Sequence, residues 1–262
     1  MTRQTERRFR TTEPRNQIDA AKLCGYNQRA SEAYWDKNAD QHAAFFIAGA
    51  DGSEPPDTVR GWEMIIKVTG MNPDISPQPT GNCVAAAAGE SVEFLQCSEI
   101  VRGDAEEFRR IYNPFHYATG RVLVMKNALR GSPGAVGGSV AEAIRKYGAL
   151  ALVPELPEYD KQNVDAWGDG RDAGGKSFRD FMPAAADHTV KSTARVQTMR
   201  QVFEALGSGY PLTIASNCGY EFQAGRDGFH DPSGSWSHQM SVWGYSISGN
   251  WVAVKNQWGD VH

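Results

Sequence analysis

The sequence predicts an α+β protein in which a helical lobe precedes a lobe built on an antiparallel β-sheet. Two observations carry this. Apolar residues at helical spacing are concentrated between residues 84 and 206, whereas the chain after residue 211 holds short runs rich in β-branched and aromatic side chains. The length, 262 residues, leaves room for one large domain or two lobes.

Residues 1–60 are polar and weakly patterned apart from the apolar run 43–48 (AAFFIA), and a partly ordered N-terminal extension is expected there. No motif selects a propeptide or a docking arm. From about residue 60 the patterning strengthens. Residues 84–95 read as a helix, with Val84, Ala88, Val92 and Leu95 on one stripe and Gly89 weakening it. Asp104 with Glu107 fits a capping box, and Phe108, Ile111 and Tyr112 follow at helical spacing, so a helix is expected there too. Ser139 with Glu142 forms a second box before the face Val140, Ala143, Ile144 and Tyr147, which Gly148 ends. Val196, Met199, Phe203 and Leu206 make a third stripe, closed by Gly207. Strands are expected at 211–216 (PLTIAS), 239–245 (QMSVWGY) and 251–255 (WVAVK), with Ser248-Gly249-Asn250 as the turn between the last two.

Composition excludes several functions. With 27 Lys plus Arg against 31 Asp plus Glu the formal charge is −4, the wrong sign for phosphate contacts, so no nucleic-acid partner is expected. No window approaches the ~20 apolar residues of a membrane span, and the basic N-terminus lacks the apolar segment of a secretory signal. No membrane partner is expected, and a reduced interior is the simpler setting. Four cysteines are too few for a disulfide scaffold, and no His/Cys/Asp cluster has metal-ligand spacing, so neither metal nor other cofactor is expected. Residues 170–177 (GRDAGGKS) satisfy the phosphate-loop pattern. That chemistry needs a buried strand before the loop and a helix after it. KQNVDAWGD precedes it and Pro183 follows within two turns, so a surface loop is expected.

Three segments carry candidate chemistry. In Gln78-Pro-Thr-Gly-Asn-Cys83-Val-Ala, a cysteine stands after a turn and directly before an apolar helix. Unpaired amides and the helix dipole at such a position lower a thiol's pKa, and the thiolate is the form that attacks carbonyls. Taken alone, a buried structural cysteine is the simpler reading. In 237–245, His238 opens an expected strand. In 255–259 (KNQWG), Asn256 ends the next one, so a short turn would bring Asn256 near His238, where it could fix the ring's tautomer. Trp258 could then shield that bond.

A helix-leading Cys, a His followed by a strand ending in Gly-Tyr, and Lys-Asn-x-Trp-Gly together resemble the papain-like cysteine peptidases. The helix after Gly137-Gly138 and the stretch 203–222 also resemble segments of that family. The resemblance implies a papain-like two-lobed fold with the active site between the lobes, over residues 61–262. It implies Cys83 as nucleophile, His238 as base, Asn256 as its orienting group and Gln78 as an oxyanion donor with the Cys83 amide. Gly137 and Gly138 would let a substrate backbone approach, and the substrate would be a peptide or protein. Three departures are visible. Gln78 stands one residue nearer the Cys than the family's Gln, Val84 replaces its Trp, and the chain ends soon after Gly259, where the family adds a strand, so either a C-terminally truncated domain or one without that final strand is expected. A cell-wall peptide amidase using the same Cys and His, and an inactive papain-like binding protein, are the alternatives. Residues 156–176 and 225–237 are expected to rim the cleft, His230-Asp231 to lie in a loop, and Cys24, Cys97 and Cys218 to be ordinary small apolar residues.

Overall fold

The structure is a computed structural model and describes residues 24–45, 54–73, 77–104 and 106–259. Its centre is helix α3 (Cys83–Arg102), which follows α1 (Gln28–Asn38), the short strand β1 (Thr58–Arg60) and α2 (Gly61–Thr69). The expected helix 84–95 lies wholly inside α3. Most of α3 is buried on every side, as expected of a helix enclosed by two lobes. Its small residues serve that enclosure. A Cβ on Gly89 would fall 1.8 Å from Asn113 Oδ1, so only glycine lets α4 (Asn113–Ala118) pack this closely.

On one side of α3 lies the helical lobe: α4 and its continuation Thr119–Val124, α5 (Gly137–Tyr147), α6 (Lys161–Gly168) and α7 (Met182–Ala186). Val84, Ala88, Val92, Tyr117, Val140 and Ile144 form its inner core, and Phe115, Leu150, Trp167 and Phe178 an outer one. On the other side α8 (Met199–Gly207) leads into β2 (Leu212–Tyr220), β3 (Pro232–Ser246) and β4 (Trp251–Lys255). Phe94 and Cys97 of α3 pack there against Leu206, Val242, Trp243 and Tyr245.

The sheet is antiparallel, in the order β1-β3-β2 with β4 also on β3. From His238 to Ser246 strand β3 is buried. Asn250, at φ 53°, makes the turn into β4, whose bounds match the sequence expectation, whereas β2 and β3 run longer because they continue as a ladder to Tyr220↔Pro232.

Several expectations change. Residues 106–110 form no helix; the chain there is irregular, with the amides of Arg109 and Ile111 donating to Gln96 and Glu93 of α3. Ser139 does not cap α5, which already begins at Gly137; its hydroxyl donates to Val136 O. The capping box of α8 is Thr198 with Gln201. Within the N-terminal sixty residues, α1 is a regular helix capped by Asn27, and β1 belongs to the sheet. Of the apolar run 43–48, residues 46–48 lie outside the described residues; Phe45 packs on Ala205 of α8. The phosphate-loop pattern is preceded by helix α6, and its Ser177 caps a 3₁₀ turn, Phe178–Phe181.

Candidate active site

Cys83 is the first residue of α3 and is fully buried. The turn before it is fixed by Asn82 N–H donating to Thr80 O (2.8 Å) and by Gln78 N–H donating to Gln257 O (2.8 Å). The second bond ties the turn before Cys83 to the segment after β4. Gln78 is buried, and its Nε2 donates to Thr80 O at 2.6 Å.

His238 sits in β3 opposite Ser216 of β2, where β3 passes from exposed to buried. Strand β4 ends at Lys255, paired with Ser241, so Asn256 emerges beside the histidine. Asn256 Oδ1 lies 2.7 Å from His238 Nε2 and also accepts from Gln257 N–H at 2.9 Å. The amide N–H identifies that atom as the oxygen, an acceptor only. Nε2 therefore carries the hydrogen, and Nδ1 is the ring's basic nitrogen. Trp258 covers the pair, its ring 4.5 Å from the imidazole, and Trp236 approaches from the side at 5.6 Å.

The backbone N–H groups of Gln239, Gly25 and Val84 lie near the Cys83 sulfur and favour its ionised form. The first belongs to the residue after His238, which places thiol and imidazole at one junction of helix and sheet. Burial pushes the thiol up to about 12, against the pull of those three amides. The sequence led us to expect a depressed value. The reversal comes from desolvation, which outweighs the helix terminus.

The cover is the chain's own N-terminal segment. Tyr26 N–H donates to Ser237 O (2.9 Å) and Ala135 N–H to Gly25 O (2.8 Å). The Cys24 sulfur receives Ser237 N–H. Gly25 lies so close to Gly81 that a Cβ would fall 1.8 Å from the Gly81 carbonyl oxygen. Residues 24–26 thus run across the front of Cys83, between residues 134–136 and β3. Helix α1 continues the cover, and its Tyr34 occupies the space in front of Gly138, where a Cβ would lie 2.4 Å from the ring. The closeness that glycine permits at 138 therefore serves α1. Gly137 faces Gln239 Oε1, 2.8 Å from where a Cβ would be.

Sequence reasoning missed Glu90, two turns along α3 from Cys83. Its carboxylate accepts from Ser241 Oγ and Gln257 Nε2, both at 2.7 Å, and pairs with Lys255 Nζ. One buried group thus ties α3 to β3, to β4 and to the segment carrying Asn256 and Trp258. A lone carboxylate within an otherwise small and apolar stretch (AAAAGES) was the available signal. Asn82 donates to Tyr159 Oη at 3.0 Å, so part of the 156–176 stretch reaches beneath the start of α3; nothing in the sequence marked that pair. His230 lies in the β2–β3 hairpin loop, bonded to Glu221 O. Of the other cysteines, Cys97 is core, Cys24 is half-buried in the cleft, and Cys218, expected to be a small apolar packing residue, is exposed on β2. Among the described residues no group of three His, Cys, Asp or Glu could hold a metal ion, and no helix is long and apolar enough to cross a membrane.

No protein-family model matches the chain, and no curated protein matches it in sequence. Solved structures do match in fold. Xylellain, a cysteine protease from Xylella fastidiosa, superposes with a TM-score of 0.55 at 14% identity, over 91% of this chain and 85% of that one. The ragweed pollen cysteine protease Amb a 11, in its proform, gives 0.51 at 20% identity, over 91% of this chain and 66% of that one. The chain has the papain-like fold.

Proposed function

We propose that this papain-like chain is a cysteine peptidase that hydrolyses peptide bonds through a thioester on Cys83. The observation that carries the reading is the His238 Nε2 to Asn256 Oδ1 bond of 2.7 Å, made on a strand whose next amide touches the Cys83 sulfur. Substrate entry requires residues 24–26 to leave the cleft. The uncovered thiol would regain solvent and the helix terminus, and its proton would pass to His238 Nδ1. The thiolate would then attack the carbonyl carbon, with the oxyanion accepting from Cys83 N–H and Gln78 Nε2. The imidazolium, held in one tautomer by Asn256, would protonate the leaving amine. Water, deprotonated by the same ring, would resolve the thioester. Gly137 would admit the substrate backbone beside Gln239.

The test is labelling with a thiol-directed peptidase inhibitor at mildly acidic pH, together with hydrolysis of denatured protein. Both are run on the native chain and on Gly25→Ala, which loosens the cover. The expected result is an adduct confined to Cys83, lost in His238→Ala, and hydrolysis lost in Cys83→Ser. Equal labelling of Cys24, Cys97 and Cys218, or cleavage of peptidoglycan but not of protein, overturns the proposal.

A further inference from the structure

We infer that Cys24 and Cys83 form a reversible disulfide that locks the N-terminal segment across the cleft. The inference deepens the proposed function and rests on it for its regulatory meaning.

The two sulfurs face the same edge of β3. One receives the N–H of Ser237, the other the N–H of Gln239. Amides two residues apart on a strand lie about 7 Å from each other, so joining the sulfurs takes side-chain rotation together with a further approach of residues 24–26. Backbone contacts draw the two segments closer still. Gly25 N–H reaches the Cys83 sulfur, and a Cβ on Gly81, two residues before Cys83, would lie 3.2 Å from Cys24 O. Bridging a pair requires Cα atoms within about 7 Å and converging side chains. Only Gly25 separates Cys24 from the residue hydrogen-bonded to Ser237 O, and Cys24 is partly open to solvent while Cys83 is not. The exposures set the order of reaction.

The chemistry is thiol–disulfide exchange with a small-molecule disulfide such as oxidised glutathione. The Cys24 thiolate attacks one sulfur of the reagent, forming a mixed disulfide and expelling one thiolate. The Cys83 thiolate then attacks the Cys24 sulfur and expels the second. Two protein thiols lose two electrons and two protons, and one small disulfide becomes two thiols. In the product the nucleophile is consumed and residues 24–26 are anchored in the cleft. A reducing thiol reverses both steps.

The experiment uses the full chain, reduced and then incubated with oxidised glutathione, and digested with trypsin without reduction. Cys24 falls in residues 23–29 and Cys83 in residues 68–102, which also hold Cys97. The expected result is a linked 23–29/68–102 pair, absent from Cys24→Ser and from Cys83→Ser, with at least a tenfold fall in inhibitor labelling of Cys83 that dithiothreitol restores. A free or glutathione-capped Cys83 without the linked pair overturns the inference, as does a link that persists in Cys83→Ser, which would assign it to Cys97. If the link forms but the reduced protein hydrolyses nothing, the peptidase reading fails and the disulfide stands. If the reduced protein hydrolyses substrate and no link forms, only the inference fails.

Discussion

Gly25→Ala tests the idea that the N-terminal segment sets the state of Cys83. The new Cβ would lie 1.8 Å from Gly81 O, 2.5 Å from Gly81 C and 3.0 Å from Gly81 Cα. All three are backbone atoms, so no rotamer change relieves the clash. To reach even 3.0 Å from the oxygen, residues 24–26 must retreat by about 1.2 Å, which breaks the short bonds from Tyr26 N–H to Ser237 O and from Ala135 N–H to Gly25 O. Two backbone bonds at about 0.5–1.5 kcal/mol each set a stability loss of about 1–3 kcal/mol. The larger effect is on the thiol. Burial holds it at about 12 against an ordinary 9.0. At pH 7 uncovering raises the ionised fraction about 10³-fold, and the lower basicity of the new thiolate takes back about 10^1.4 of nucleophilicity. The expectation is a faster reaction of Cys83 with dipyridyl disulfide, followed by mass mapping of residues 68–102, with about fortyfold as the ceiling for a fully uncovered sulfur. A Cys83 rate within threefold of the native chain would refute the reasoning, because the cover would then not be what desolvates the sulfur.

Two further outcomes follow from buried polar groups. His116 is fully buried with neither ring nitrogen hydrogen-bonded, and burial lowers it from 6.5 to about 3. Between those values the unfolded chain holds the extra proton, so stability is fully present above pH 6.5 and falls with acidification by up to about 1.4 kcal/mol per pH unit; denaturant unfolding should show this slope between pH 6 and 4, and His116→Leu should flatten it. Glu90→Ala strands the half-buried Lys255 ammonium, whose side chain is 11% exposed, beside Ser241 and Gln257; unfolding should be easier by about 3–5 kcal/mol, and a loss under 1 kcal/mol would mean the cluster is not structural.

What the sequence revealed depended on whether the cause was local. The turn and strand at 248–255 were legible because Asn250 supplies the positive φ and the strand's own residues the propensity. The helix after Cys83 was legible for the same reason. The helix expected at 104–112 failed because Gln96 and Glu93 offer its amides partners outside a helix. In the site, chain spacing alone brought Asn256 within reach of His238. Glu90 could not be assigned its partners, since Ser241 lies 151 residues away. Nor could Gly138, which looked like a substrate contact until Tyr34, far upstream, filled its space.

The same distinction explains why the expected shift of the Cys83 thiol had the wrong sign. A helix N-terminus favours a thiolate by about 0.3–1 kcal/mol, and up to about 2 in partly buried settings. That contribution is local and readable from the position of Cys83 before an apolar run. Raising the thiol from 9.0 to about 12 corresponds to about 4 kcal/mol against ionisation, so desolvation wins by a factor of two or more. Part of the cover over Cys83 is Gly25 and its neighbours, some sixty residues upstream, in a stretch whose weak patterning suggested only an extension. The thiol's acidity and the cleft's accessibility should therefore change together, and any perturbation that frees residues 24–26 should raise Cys83 reactivity without altering the His238–Asn256 bond.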